Sequence, residues 1–221
     1  MAKSLDQKAP TLAGVIIGAA LSILLGVLVA LLHLIFKPVE ILKAAPKEPV
    51  AGVRYYIEGG GAAAAGKAWE RKAEALAGGR GEVGFAEGDL NAWAQETFKT
   101  TPEAEEAKKT ATFLLAPGTP NLRLVGSELQ IGVVADLIYF GTVNQLVFQA
   151  RGGFEADGTG WRYAPEEVYL GCFPLHRVPP LLALVAGRFG AGDRLPPEVA
   201  TVLAQATALT ITADELVVRL R

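Results

Sequence analysis

The pattern of hydrophobic and polar residues divides the chain into a long apolar run and a longer region of mixed periodicity. Residues 11–36 contain no Lys, Arg, Asp or Glu. A helix rises about 1.5 Å per residue, so this run would measure roughly 39 Å, against roughly 30 Å of bilayer hydrocarbon. Because lipid offers the backbone no hydrogen-bond partner, such a run is stable there only as a helix. The pattern predicts a single transmembrane helix over residues 11–36.

The alternative to an anchor is a cleaved signal peptide, whose apolar segment is about 7–15 residues long and ends at small residues. This run is longer and ends in Phe36-Lys37-Pro38, which favours a retained helix. The sequence then predicts a short tail over residues 1–10, a proline-containing spacer over residues 37–50 that lifts the following part off the membrane, and a globular domain over residues 51–221.

Small side chains recur every four residues along the apolar run and would form one shallow ridge on its helix. Such ridges let two membrane helices approach closely. The pattern is typical of a homo-oligomer or of contact with another membrane protein, although small residues are also common in membrane helices that make no such contact. The candidate helix-packing residues are Gly14, Gly18, Ser22, Gly26 and Ala30.

Two segments of the globular region have helical periodicity. Residues 62–77 are rich in Ala and end at Gly78-Gly79, a pattern typical of a helix and its C-cap. A second helix is predicted near Asp89, with Leu90, Trp93, Ala94, Thr97 and Phe98 on one face and Asn91 off that face. Residues 100–110 indicate a charged surface segment that is partly helical at most.

From Thr112 the period changes to the alternation typical of strands. Four consecutive antiparallel strands are predicted, and turn signals at Gly126-Ser127, Gly141-Thr142 and 157–160 separate them. Two further strands close the chain, and proline pairs open short helices at Pro179 and Pro196. The fold class is therefore α+β, a transmembrane helix followed by a mostly antiparallel sheet with packed helices. The predicted strands are 121–125, 128–140, 143–155, 161–170, 209–212 and 216–220.

The strand over residues 128–140 is apolar on one face throughout and apolar on both faces near its end. A strand end that is apolar on both sides is covered on both sides, by a helix, by membrane or by a ligand. Together with the apolar helix after Pro180, it suggests a face for an apolar ligand such as a lipid; the alternative is an ordinary two-layer core. The candidate ligand-face residues are Ile138, Phe140, Leu181, Leu184 and Val185.

The composition limits the kinds of partner and metal or cofactor site that this chain is expected to have. The chain has 21 Lys and Arg against 23 Asp and Glu, a net charge of −2, which argues against a nucleic-acid partner. With one cysteine, Cys172, and two histidines, neither a disulfide nor a Cys- or His-rich metal centre is expected, and no cofactor is predicted. Cys172 is expected to be a small buried core residue, and His176 a surface or corner residue rather than a general base.

The order of these segments resembles the YpmS-like group of membrane-anchored bacterial proteins. The resemblance rests on an anchor, then Phe85, Leu90 and Asn91 in an F-x-x-x-x-L-N pattern, then a strand meander from 122 to 170, then a proline-rich corner. That corner has the form G-x-x-P-L and contains Gly171, Pro174, Leu175, Pro179, Leu181 and Leu182. This chain has Ala86 where that group tends to have a capping Ser or Thr. The resemblance implies a domain outside the cytoplasmic membrane and no established activity.

Charges near the span leave its orientation open, so the resemblance decides the expected location: a single-pass protein of the cytoplasmic membrane with an extracytoplasmic domain. We expect a non-enzymatic envelope protein that presents this domain for structural or assembly interactions. The alternative is a module that binds lipid or another apolar ligand at the membrane surface.

Overall fold

The structure is a computed structural model that describes residues 11–79, 81–156, 158, 160–183 and 196–221. It confirms the α+β class: an apolar helix precedes mostly antiparallel sheets with packed helices. The helices are α1 (Leu12–Phe36), α2 (Ala62–Ala65), α3 (Ala68–Ala77), α4 (Glu87–Thr97), α5 (Pro102–Thr110) and α6 (Pro197–Gln205). The strands are β1 (Glu40–Leu42), β2 (Tyr55–Ile57), β3 (Gly81–Ala86), β4 (Phe113–Pro117), β5 (Asn121–Val125), β6 (Glu128–Tyr139), β7 (Thr142–Ala156), β8 (Trp161–Leu170), β9 (Phe173–Pro174), β10 (Ala208–Ile211) and β11 (Glu215–Leu220).

The predicted meander forms a six-stranded sheet with the order β4-β6-β7-β8-β9, in which β5 also pairs with β6. All of its pairs are antiparallel. The four predicted strands agree with β5 to β8 within one residue at each end. The strand β4 was not predicted, since its sequence, Phe113–Pro117, is a short apolar run that ends in proline.

The two closing strands do not join this sheet. They form a separate sheet with the order β10-β11-β3, whose first strand in sequence, β3, was not predicted. Its sequence GEVGFA holds two glycines, which weaken a strand signal. Leu76 of α3 and Val202 of α6 pack with the core of this sheet, which includes Val218 and Leu220.

The helix predicted over residues 62–77 is two helices, because Gly66 has a positive φ of 54° that interrupts it. Its end at Gly78-Gly79 is as predicted, with the Gly79 N–H bonded to the Leu76 carbonyl. The segment after Thr100 is a complete helix, α5. Its N-terminus is capped by the Thr101 hydroxyl, which accepts from the Ala104 N–H at 3.3 Å.

Asn91 was predicted to lie off the packed face of its helix, and this is wrong. Its side chain is 3 % exposed. Its amide oxygen accepts from the Leu122 N–H at 2.8 Å, and its amide nitrogen donates to the Leu122 carbonyl at 2.7 Å. The side chain therefore pairs with β5 as another strand would, and it joins α4 to the six-stranded sheet at the edge where β5 lies.

The segment predicted as a spacer contains β1, which pairs in parallel with β2. Strand β2 lies on the six-stranded sheet. The Tyr56 ring occupies the space above Gly132, where any Cβ would overlap it, and Gln130 donates to the Ile57 carbonyl at 2.9 Å. The region after α1 is therefore bonded to the domain rather than extended away from it.

Candidate functional site: the junction between the apolar helix and the domain

Helix α1 is the one element of the described chain that is long and apolar enough to cross a membrane, with 25 residues and a mean hydropathy of 2.9 over an 18-residue window. Its side chains are exposed from Leu12 to Ala30. The small-residue ridge lies in this exposed part, and an added Cβ at Gly18 or Gly26 would meet nothing within 4 Å. The structure thus leaves the ridge uncovered within one chain.

The last turns of α1 are part of the domain. Leu31, Leu34 and Ile35 pack against a core cluster that includes Phe173 and Leu175. These contacts come from the corner that follows β8, so residues far apart in sequence meet at one place. We call this contact the junction.

Backbone contacts fix the junction as well. The Cys172 N–H donates to the Leu34 carbonyl at 3.0 Å. Gly171 has a φ of 59°, and a Cβ at this position would overlap the Ile35 carbonyl oxygen. Glycine is therefore required at position 171 on two grounds, its backbone conformation and the approach of the helix.

Cys172 was expected to be a buried core residue, but it is half-buried at the junction. Its Sγ atom lies 3.8 Å from the Lys37 carbonyl oxygen and 3.9 Å from that of Pro38. His176 is half-buried, with its Nδ1 atom 3.0 Å from the Val168 carbonyl oxygen. A structural contact to β8 accounts for this imidazole.

A group of exposed apolar side chains lies where β4, β6 and β7 end together. Phe140 is 86 % exposed and Phe113 is 72 % exposed. We call this group the apolar tip, and it consists of Phe113, Leu115, Tyr139, Phe140 and Val143. Residues 137–148 contain no charged side chain, and neither do residues 111–117. The apolar tip therefore presents apolar surface, and the two segments that form it carry no charge.

Phe140 also has an unfavourable backbone conformation. It is the one non-glycine residue with a positive φ among those the structure describes, at 45°. Phe140 and Gly141, with a φ of 78°, connect Tyr139 to Thr142 as a two-residue hairpin loop. Loops of this kind strongly favour Asn-Gly, so phenylalanine at the first position is strained. Strain of this kind is often found at functional positions.

The position of the apolar tip follows from the strand register. β8 begins at Trp161 and reaches the junction at its end, Leu170, which lies opposite Phe148 of β7. The β6–β7 hairpin continues past that end for about 20 Å, at about 3.3 Å per residue. The Gly171 N–H donates to the Val147 carbonyl at 2.7 Å, so this extension begins at the junction and points away from the Trp161 end of β8.

Three of the five predicted ligand-face residues lie in the described part of the chain, and they occupy different places in the fold. Ile138 is 4 % exposed and lies in the sheet, whereas Phe140 belongs to the apolar tip. Leu181 is half-buried at the junction, against the Phe173 cluster. Leu184 and Val185 lie outside the described residues. The signal for the apolar tip was the aromatic pair next to the Gly141 turn, which the sequence interpretation assigned to a covered strand end.

No cluster of three or more His, Cys, Asp or Glu side chains in the described part of the chain is placed to hold a metal ion. Burial, and secondarily the charge of Glu58, raises the pKa of Tyr56, so its hydroxyl stays protonated and donates to the Asn121 side chain at 3.2 Å. Comparison with protein-family models, with curated proteins and with solved structures gives no match to this chain.

Proposed function

We propose that this chain is a non-enzymatic single-pass membrane protein that holds its domain directly on the bilayer surface for structural or assembly interactions. The observation that carries the proposal is the junction: the last turns of α1 belong to the domain core. A helix that is part of a domain core fixes the distance between that domain and the bilayer, which a flexible spacer does not.

The length of the exposed part of α1 supports this placement. Its fully exposed stretch, residues 12–30, would extend about 28 Å at about 1.5 Å per residue. That length is close to the roughly 30 Å of bilayer hydrocarbon. With this stretch in the hydrocarbon, the last turns of α1, in which Leu31, Leu34 and Ile35 are half-buried, lie at the membrane surface, and the domain rests on the headgroups.

The apolar tip then faces the same membrane. The hairpin extends past the junction, on the side opposite the Trp161 end of β8, and an apolar surface with aromatic side chains suits the membrane interface. The exposed charged helix α5 lies beside β4, and its Lys108 and Lys109 are at the end nearest the apolar tip. We propose that lipid is the partner of the apolar tip, which gives the alternative function, lipid or apolar-ligand binding, a definite location.

The proposed location is the cytoplasmic membrane with the domain on its outer side. Its support is the resemblance to the YpmS-like group through Asn91 and the corner that begins at Gly171. Asn91 pairs with β5 and Gly171 receives the end of α1, so both residues of that pattern have structural roles in this chain.

Membrane extraction and a topology assay test the proposal. Full-length protein should remain in the membrane fraction after alkaline carbonate washing. A phosphatase fused after Arg221 should be active in cells, and a fluorescent protein fused at the same position should be dark when exported by the general secretion route. Release by carbonate would contradict the membrane assignment, and the reverse fusion result would contradict the orientation.

The small-residue ridge is the proposed contact for a second copy or another membrane protein. Gly18→Ile and Gly26→Ile should lower crosslinking between copies in membranes, because a large side chain keeps the helix backbones apart. Leu24→Ile, on the opposite face of α1, is the matched control and should leave crosslinking unchanged. Equal crosslinking in all variants would contradict this role for the ridge.

A further inference from the structure

A cleft lined by arginines lies between β2 and the face of the six-stranded sheet that β2 covers. Its volume is about 190 Å³ and it opens to solvent. Arg123 lies opposite Gln130, and Gln130 lies opposite Arg151, so these three residues form one row across neighbouring strands. Arg54, just before β2, lines the same cleft. We call it the arginine cleft.

Two buried nitrogen donors on residues that line this cleft have no hydrogen-bond partner among the described residues. They are Nε of Arg54 and Nε2 of Gln149. The Gln149 side chain is 7 % exposed, and its neighbour across the strands is Tyr169. The Arg54 guanidinium lies over the Tyr169 ring at 3.2 Å, so both donors belong to residues that neighbour Tyr169. Because native proteins rarely leave buried donors unpaired, this pair indicates a missing acceptor.

The charges of the cleft point to the same kind of ligand. Arg151 has an ion pair with Glu128, but neither Arg54 nor Arg123 has a carboxylate partner in the described part of the chain. Glu167, the acidic residue in the lining, is exposed and lies opposite Arg151 in the strand register. Two guanidinium groups without an ion-pair partner in the described part of the chain, together with two unpaired donors, suit an anion with several acceptor oxygens. Arginine binds phosphate through paired hydrogen bonds that such an anion can accept together.

We propose that the arginine cleft binds a phosphate group. The cleft is close to the junction, because the Glu40 N–H, shortly after α1, donates to the Arg54 carbonyl at 3.0 Å. Tyr169 directly precedes the end of β8 at the same place. The phosphate can come from an anionic phospholipid headgroup or from a soluble phosphate compound. The lipid source rests on the proposed membrane location, whereas phosphate binding itself does not.

The test uses full-length protein in nanodiscs and follows the NMR signals of Arg54 Nε–H and Gln149 Nε2–H₂. In phosphatidylcholine nanodiscs, added inorganic phosphate should shift both signals in a saturable way if the ligand is soluble. If the ligand is a headgroup, nanodiscs with added phosphatidylglycerol should shift both signals without added phosphate. No shift in either arm would overturn the proposal.

Variants separate a specific site from general charge attraction. Arg123→Gln should weaken phosphate binding at least about tenfold. The loss of one hydrogen bond to a charged group changes a dissociation constant by about this factor or more. Arg123→Lys, which keeps the charge but loses the fork of donors, should weaken it less. Arg162→Gln removes an exposed arginine that pairs with Glu155 and should have no effect. Equal weakening by Arg162→Gln and Arg123→Gln would overturn the proposal.

The phosphate site and the membrane location are tested by separate measurements, so either can fail without the other. A chain that carbonate releases from membranes can still be titrated with inorganic phosphate in solution. Conversely, an anchored chain whose Arg54 and Gln149 signals do not respond in either arm refutes the phosphate site alone.

Discussion

The backbone N–H of Cys172 donates a hydrogen bond to the carbonyl of Leu34 at 3.0 Å, which joins the corner after β8 to the end of the apolar helix. Near a helix end, carbonyls have no partner inside the helix, so a bond from outside stabilises that end. Leu34 itself packs with the Phe173 cluster. Backbone and side-chain contacts at one place thus make α1 and the domain a single unit.

Gly171→Val is expected to separate α1 from the domain. Valine would overlap the Ile35 carbonyl and would have to adopt a φ of 59°, at a combined cost of about 2–4 kcal/mol. Releasing the helix end relieves the overlap, so trypsin should cut after Lys43 or Lys47 faster in the variant, measured by mass spectrometry of detergent-solubilised protein. Gly153→Ala is the control, since an added Cβ there meets nothing within 4 Å. Equal cleavage of both variants would count against the junction.

Asn91→Ala is expected to lower the free energy of unfolding of the domain by about 2–4 kcal/mol. The change leaves the N–H and the carbonyl of Leu122 buried without partners, and each such group costs about 1–3 kcal/mol. Denaturant unfolding followed by circular dichroism measures the loss. Gln95→Ala, at an exposed position of the same helix, should change stability by less than about 0.5 kcal/mol. A small effect at Asn91 would refute its role in pairing with β5.

Phe140→Asn is expected to stabilise the domain by about 1 kcal/mol. Asparagine adopts a positive φ at lower cost than phenylalanine and suits the first position of this hairpin loop. Phe113→Thr removes a similarly exposed ring from a strand position with ordinary backbone angles and should not stabilise. Thermal unfolding in detergent compares the two. A gain from Phe113→Thr as large as that from Phe140→Asn would show that ring exposure, not backbone strain, sets the stability.

Two of the five tyrosines should ionise late in a spectrophotometric titration. Burial raises the pKa of both Tyr56 and Tyr163, and nearby Glu58 and Glu128 respectively add to it. The unfolded chain loses these protons near its ordinary pKa of 10.0, whereas the folded chain keeps them. The contribution of these two protonated tyrosines to the free energy of unfolding is therefore complete below about pH 10 and falls as the pH rises above it. Tyr56→Phe should remove one late-ionising group, and five tyrosines ionising together below pH 11 would contradict this burial.

The regular part of the fold could be predicted because its signal is local. Alternation between Glu128 and Tyr139, together with the glycine turns that bound it, identifies β6 and its neighbours. Asn91 was misplaced because a polar residue in a helix was assumed to face solvent. Its two bonds to Leu122 depend on which strand lies beside the helix, and local periodicity carries no such information.

The junction could not be predicted for the same reason. Leu34 and Cys172 are far apart in sequence. In the sequence Gly171 indicates only a turn, whereas in the fold the backbone of α1 contacts it at Ile35. The sequence indicated part of the apolar tip, because it predicted an apolar strand end before Gly141. Whether that end was covered depended on how far β7 extends past β8, which only the register shows.

A fluorescent residue at position 140 reports directly whether the domain lies on the bilayer with its apolar tip in the lipid. Phe140→Trp protein is reconstituted in vesicles whose lipids carry bromine at defined depths of the acyl chain. We expect shallow bromines to quench the added emission strongly, above the level from the three native tryptophans. Quenching no greater than in the unsubstituted protein would place the apolar tip in water and contradict the account.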